Sequence, residues 1–132
     1  MPRSRTPEPL PSLYELEAEI MQEVWRRGET NVKQVMEALN QVAATPRAYT
    51  TYMTVMQRLH KKGLLDRTRT GRSDTYVPTL SQGEYREGRA RAQVAGLVQE
   101  YGDVALAHFA RALTSADPAT LRRLQKLARD EL

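Results

Sequence analysis

The sequence predicts a mainly α-helical chain with one small β-hairpin, and three observations carry that prediction. Tyr49 to Lys62 reads as an amphipathic helix whose outer face has hydroxyls, an amide and bases but no carboxylate. Two strand-like runs carrying arginines follow it, separated by a turn. Beyond Ser81 the chain returns to helix-forming sequence with thin apolar stripes.

The chain has 132 residues, enough for one ordinary domain or two small ones, and its 40% hydrophobic and 27% charged content is globular. The net charge of +4 is modest but unevenly placed. From Arg47 to Arg72 the only acid is Asp66, against Arg47, Arg58, Lys61, Lys62, Arg67, Arg69 and Arg72. The preceding segment holds Glu15, Glu17, Glu19, Glu23, Glu29 and Glu37. A positive field concentrated mid-chain favours a polyanionic partner. The absence of cysteine excludes disulfides, thiolate metal sites and cysteine nucleophiles, and fits a cytoplasmic location. No apolar run reaches the ~18 residues of a transmembrane helix, so the chain is not read as a membrane protein. The opening MPRSRTPEPLPS lacks the apolar stretch of a signal peptide, and its prolines predict a disordered or extended lead-in over residues 1–11.

The elements follow in order. Ser12 and Glu15 have capping-box spacing and predict the start of a first helix. Its stripe is Leu13, Leu16, Ile20, Met21 and Val24, closed by a core Trp25, and it stops before Gly28. Its acids are expected to face mostly solvent. Glu29 and Thr30 allow only a very short strand. Asn31 caps a second helix with Val32, Val35, Met36 and Leu39 inward, ending near Asn40. Thr45-Pro46 predicts either the cap of the third helix or a turn just before it.

In the third helix Tyr52, Val55, Met56 and Leu59 fall at i, i+3, i+4 and i+7. At about 100° per residue, Thr50, Thr54, Gln57 and Lys61 point away from that stripe, with Thr51, Met53 and Arg58 on its flanks. Hydroxyl and amide groups suit base edges and phosphates, and cations suit phosphates. After Gly63, the runs Leu64 to Arg69 and Asp74 to Val77 predict a hairpin around Thr70-Gly71-Arg72-Ser73. Helix, short strand, helix, helix, hairpin is the order of a winged helix-turn-helix, here assigned to residues 12–79. Arg67, Arg69 and Arg72 lie on its wing.

Residues 80–132 predict three helices. Ser81 and Glu84 form a capping box for the first, which ends at Gly102-Asp103; Val104 to Leu113 form the second; Asp117-Pro118 opens the third. Leu97, Val98, Tyr101, Phe109, Leu113, Leu121, Leu124, Leu127 and Leu132 supply their apolar positions. About 50 residues of thin amphipathic helix bury little alone, which predicts a homodimer through this region. His60 and His108 are the only histidines and have no partner at metal-ligand spacing. No phosphate-binding glycine motif or nucleophile–base arrangement is present, so neither an enzyme, a metal site nor a cofactor is expected.

The runs LYELEAEIMQEVW, NVKQVMEALN and AYTTYMTVMQRLHKKGLL, followed by TYVPT, resemble the penicillinase-repressor family (the BlaI/MecI/CopY group). The resemblance is most specific in the AYTT segment and spans roughly Leu13 to Pro78. It implies a dimeric transcriptional repressor on a dyad-symmetric operator, with Thr50, Thr51, Met53 and Thr54 at the family's base- and phosphate-contacting positions. It also implies induction. One branch is cleaved at an asparagine–phenylalanine bond after signalling by a membrane sensor protease. The counterpart here is His108–Phe109, with histidine in place of the asparagine. The cysteine cluster of the copper-responsive branch has no counterpart. Together the residues and the resemblance predict a cytoplasmic, homodimeric repressor of double-stranded operator DNA. Thr50, Thr51, Met53, Thr54 and Gln57 are assigned to base and phosphate contact, with Arg47, Arg58, Lys61, Lys62 and the wing on the backbone. The alternative is a winged helix that docks an acidic protein.

Overall fold

The computed structural model describes residues 6–7 and 9–131. Among these the order is α1 (Glu15–Arg27), α2 (Val32–Val42), α3 (Tyr49–Lys61), β1 (Leu65–Thr70), β2 (Ser73–Pro78), α4 (Gln82–Tyr101), α5 (Asp103–Thr114) and α6 (Pro118–Glu131). The chain divides into two compact units, Met1–Ala92 and Gln93–Leu132. The division falls inside α4, beyond the expected boundary at residues 79–80.

The first unit is a winged helix. α1, α2 and α3 turn their apolar stripes onto one core, which holds Ile20, Met21, Val24, Val35, Tyr52, Met56 and Leu59, all fully buried. Emptying one of these large positions costs about 2–5 kcal/mol. The hairpin closes the core with Leu64, Leu65 and Tyr76. β1 and β2 pair antiparallel from Leu65↔Pro78 to Thr70↔Ser73. Both strands therefore reach one residue further into the turn than expected. The remaining loop is Gly71-Arg72, with φ +64° at Gly71 and no positive φ at Arg72, the pattern of a II′ turn whose twist suits a hairpin. The expected very short strand is a single residue: Thr30 exchanges backbone hydrogen bonds of 3.0 and 2.7 Å with Tyr76.

Two boundaries differ from expectation, and a third falls on one of its two alternatives. α1 begins at Glu15, not at Ser12, because the carboxylate that caps it is Glu17: its Oε1 accepts from the Tyr14 amide at 2.9 Å. α2 continues to Val42. Thr45-Pro46 is a turn before α3, whose N-cap is Ala48. The α1 acids are also not uniformly solvated. Glu17 and Glu23 are buried. Glu23 is bonded by the Arg26 and Arg27 guanidiniums, and the Arg26 bond holds its carboxyl below the usual carboxylate range.

Trp25 is half-buried rather than enclosed; its Nε1 donates to the Leu80 carbonyl at 2.9 Å and its ring lies 5.5 Å from that of Tyr85. Of the expected lead-in, residues 1–5 and 8 lie outside the described residues, as does Leu132. Leu10 is buried, and Pro11 receives a hydrogen bond from Tyr85.

In the second unit, α6 is capped by the Asp117 carboxylate, which accepts from the Thr120 amide at 2.7 Å. Ala105 is its only buried hydrophobic residue among those described.

Candidate nucleic-acid interface

α3 is held at both ends by side chains of its neighbours. At its start, Asn40 of α2 reaches across the connecting loop. Its Nδ2 donates to the Arg47 carbonyl at 2.9 Å, and its Oδ1 accepts from the Arg47 amide at 3.0 Å and from the Tyr52 hydroxyl at 2.7 Å. One side chain thus fixes the loop and the buried tyrosine of the helix that follows it. Replacing Asn40 with alanine leaves the Tyr52 hydroxyl buried without that acceptor, at a cost of about 1–3 kcal/mol. Chemical denaturation of the Asn40→Ala chain, compared with Tyr52→Phe and the double variant, measures it. The two changes should be non-additive, because each removes the same bond.

At its other end, α3 stops at Lys62 and Gly63. Gly63 takes φ +84°, which lets the Leu64 amide reach back to the Leu59 carbonyl at 3.0 Å. The Lys62 ammonium lies 2.9 Å from Glu17 Oε1 and 4.9 Å from the centroid of the Tyr14 ring. Lys62, expected at a phosphate, is thus engaged within the protein. Its charge neutralises a carboxylate that is 1% exposed, an arrangement that ties α3 to the start of α1.

The other α3 candidates are presented outward. Thr50, Thr51, Thr54, Gln57, Arg58 and Lys61 are exposed, and Met53 is half-buried against the core. No acid interrupts this face. The hairpin brings Arg67 to it: Thr54, Gln57, Arg58, His60, Lys61 and Arg67 line one open groove between α3 and β1. Arg67 stands opposite Tyr76 in the ladder, and burial pushes the ionisation of the Tyr76 phenol up. Arg69 stands opposite Asp74 on the same strand face as Arg67. Arg72, at the hairpin tip, lines a second groove near the start of α3 with Asn31, Lys33, Tyr49 and Met53. Arg47 is half-exposed at the loop, its guanidinium 3.9 Å from Glu19.

Lys33 and Tyr49 extend the polar face, although no sequence pattern marks either. Lys33 follows the Asn31 cap of α2, a position whose proximity to the hairpin tip only the fold supplies. Tyr49 is 47% exposed, which its place beside the stripe does not indicate.

The candidate dimerisation residues belong to the second unit. Leu97, Tyr101, Phe109, Leu113, Leu124 and Leu127 are between 36% and 53% exposed, and Val98 and Leu121 are half-buried. His108 and Phe109 lie within α5, so the bond between them is helical. Among the described residues no group of three or more His, Cys, Asp or Glu is placed to hold a metal ion.

This geometry has counterparts in known proteins. The family described as penicillinase repressor matches residues 13–130. A transcriptional regulator BlaI from Mycobacterium tuberculosis is 38% identical over 120 residues, 86% of this chain and 83% of its own length. The penicillinase repressor of Bacillus licheniformis is 27% identical over 84 residues, 63% of each chain. The solution structure of the DNA binding domain of the repressor BlaI superposes with a TM-score of 0.50 at 28% identity, over 58% of this chain and 90% of that one. The sequence match runs through both units, and the likeness in fold covers 58% of the chain: the chain belongs to the penicillinase-repressor family.

Proposed function

We propose that the chain is a DNA-binding transcriptional repressor that acts as a homodimer on a dyad-symmetric operator. The observation that carries the reading is the acid-free outer face of α3, rigidly held at both ends and flanked by an arginine-bearing hairpin. Its relatives' descriptions as transcriptional regulator and penicillinase repressor support the same role. In this reading α3 enters the major groove of a half-site. Thr50, Thr51, Thr54 and Gln57 meet base edges and nearby phosphates, with Met53 beside them, while Arg47, Arg58, Lys61 and the wing hold the backbone. The uncovered apolar residues of the second unit are met by those of a second copy, which places two recognition helices on one operator.

Repression by such a dimer is relieved by any signal that separates the copies. In the sensor-protease scheme the family resemblance implies, the cut would fall at His108–Phe109. That bond is inside α5, whose backbone amides and carbonyls are already hydrogen-bonded, so a protease needs local unwinding first.

Two measurements test the DNA reading. Fluorescence anisotropy with random duplex at two salt concentrations should show binding that weakens as salt rises; no binding at low salt would favour an acidic protein partner. After selection of a preferred duplex from a random pool, Thr51→Ala with Thr54→Ala should weaken the selected duplex by roughly tenfold or more, on the order of what one base-edge interaction supplies. Random duplex should be affected far less. Equal weakening on both duplexes would remove the threonines from base reading.

A further inference from the structure

His60 belongs to the last turn of α3 and is half-buried. Its place follows from the turn that ends the helix. The Gly63 amide donates to the His60 carbonyl at 3.0 Å, and residues 62–64 then lead directly into β1. Leu65, the first residue of β1, is buried in the core, and Arg67 follows on the same strand face. This short return brings Arg67 back beside α3. His60 therefore lines the groove together with Arg58, Lys61 and Arg67, and Thr54 and Gln57 add neutral polar groups to it.

The groove gathers three cations around an imidazole, and none of the described residues that line it is an acid. The charged groups of the neighbouring elements are placed elsewhere. Glu17 of α1 is neutralised by Lys62, which does not line the groove. Asp66 lies on the face of β1 opposite to Arg67. Asp74 of β2 stands opposite Arg69 in the ladder. Tyr76, across from Arg67, is buried, and burial keeps its phenol neutral. Among the described residues no hydrogen bond or ion pair engages the His60 imidazole.

We propose that this groove seats one backbone phosphate of DNA and that His60 binds it as the imidazolium, so that DNA binding takes up a proton. The inference rests on the DNA-binding reading above and lies wholly within the winged helix. A phosphate supplies the negative charge that the groove lacks, and an opposite charge favours the protonated ring over the neutral one. The imidazolium donates from both nitrogens, whereas the neutral ring donates from one. An imidazole gains its proton on the acid side of neutrality. Because the complex holds that proton more firmly than the free chain, affinity is highest below neutral pH and falls as pH rises. His60 thus adds a conditional charge to the fixed charges of Arg58, Lys61 and Arg67.

The test uses the full chain, His60→Gln, which keeps a hydrogen-bonding side chain without charge, and His60→Lys, which is charged throughout. Each is titrated against selected and random duplex at about pH 6 and about pH 8, on either side of the usual imidazole range. The parent should bind roughly five- to tenfold more tightly at the lower pH, on the order of one charge-assisted hydrogen bond. Its salt slope should be steeper there by up to about 0.9. Both duplexes should respond alike, because the backbone carries no base information. His60→Gln should match the parent within about twofold at the higher pH, where amide and neutral ring offer similar donors, and should lose most of the pH dependence. His60→Lys should keep the parent's acid-side slope at both values. Calorimetry of DNA binding at neutral pH in two buffers of different ionisation enthalpy should show proton uptake by the parent and none by His60→Gln. That readout does not move if His60 merely packs the helix end. His108, the other histidine, lies on α5 in the second unit and is unchanged in every variant. A pH dependence that persists in His60→Gln, or no proton uptake by the parent, overturns the proposal. Failure of the DNA reading is a separate result, seen in the parent as no salt-dependent binding of any duplex at either pH.

Discussion

Phe109→Asp combined with Leu113→Asp is expected to convert the chain to a monomer in sedimentation at micromolar concentration. It should also lower affinity for a two-half-site operator by roughly a hundredfold, the loss that follows when a linked second binding event is removed. Both residues sit on α5 and are 39% and 46% exposed, so neither aspartate disturbs an internal core. The winged helix should be untouched: Trp25 lies in the first unit against Leu80 and Tyr85, and its fluorescence should keep the parental wavelength. Affinity for a single half-site should likewise stay near the parental value. The physical basis is the contrast between the units. The first encloses its apolar stripes; the second leaves Val94, Val104 and Leu106 at least half exposed along with the two substituted residues. Apolar side chains left exposed in this way are the reason a second copy is expected to cover them. A parental chain that sediments as a strict monomer would remove the dimer from the reading.

The fold was legible where local pattern and global packing agree. The stripe Tyr52, Val55, Met56 and Leu59 is one such place, because a helical period and burial of one face are the same statement. The wing is another: a glycine in a short polar turn between strand-like runs has few alternatives. What sequence could not supply was choice between equal local signals. Ser12 with Glu15 and Tyr14 with Glu17 share the same spacing. The second pair caps α1, since Glu17 is also bonded by Lys62, 45 residues away. The outward face of α3 was likewise readable, but the identity of the cations free to use it was not. Lys61 and Lys62 are adjacent and chemically identical, yet one is exposed and the other is paired with a buried carboxylate.

The same difference between cations gives the second large effect. Replacing Arg67, Arg69 and Arg72 together with glutamine should reduce the slope of log affinity against log salt. The reduction should be up to about 0.9 for each phosphate left without its arginine, and so up to about 2.7 for three. Selected and random duplexes should weaken alike, because interactions with the backbone carry no base information. Stability should barely change: all three are exposed, and the hairpin is held by its ladder and by Leu65 and Tyr76 in the core. Arg67, which lines the groove beside Arg58 and Lys61, should contribute in the single variants, and Arg72 at the tip should report whether the start of α3 is approached as well. Lys62→Met should do the opposite. It leaves the Glu17 carboxylate buried without its cation, and breaking such a pair from one side costs about 3–5 kcal/mol. That cost should appear as a lower denaturation midpoint, while the salt slope of the folded fraction stays at the parental value. A slope unchanged in the triple arginine variant would take the wing out of the interface. A slope lowered by Lys62→Met would show that its ammonium leaves Glu17 for a phosphate when DNA binds. The pair of experiments therefore separates the charges that face the polyanion from the charge that holds the recognition helix in place.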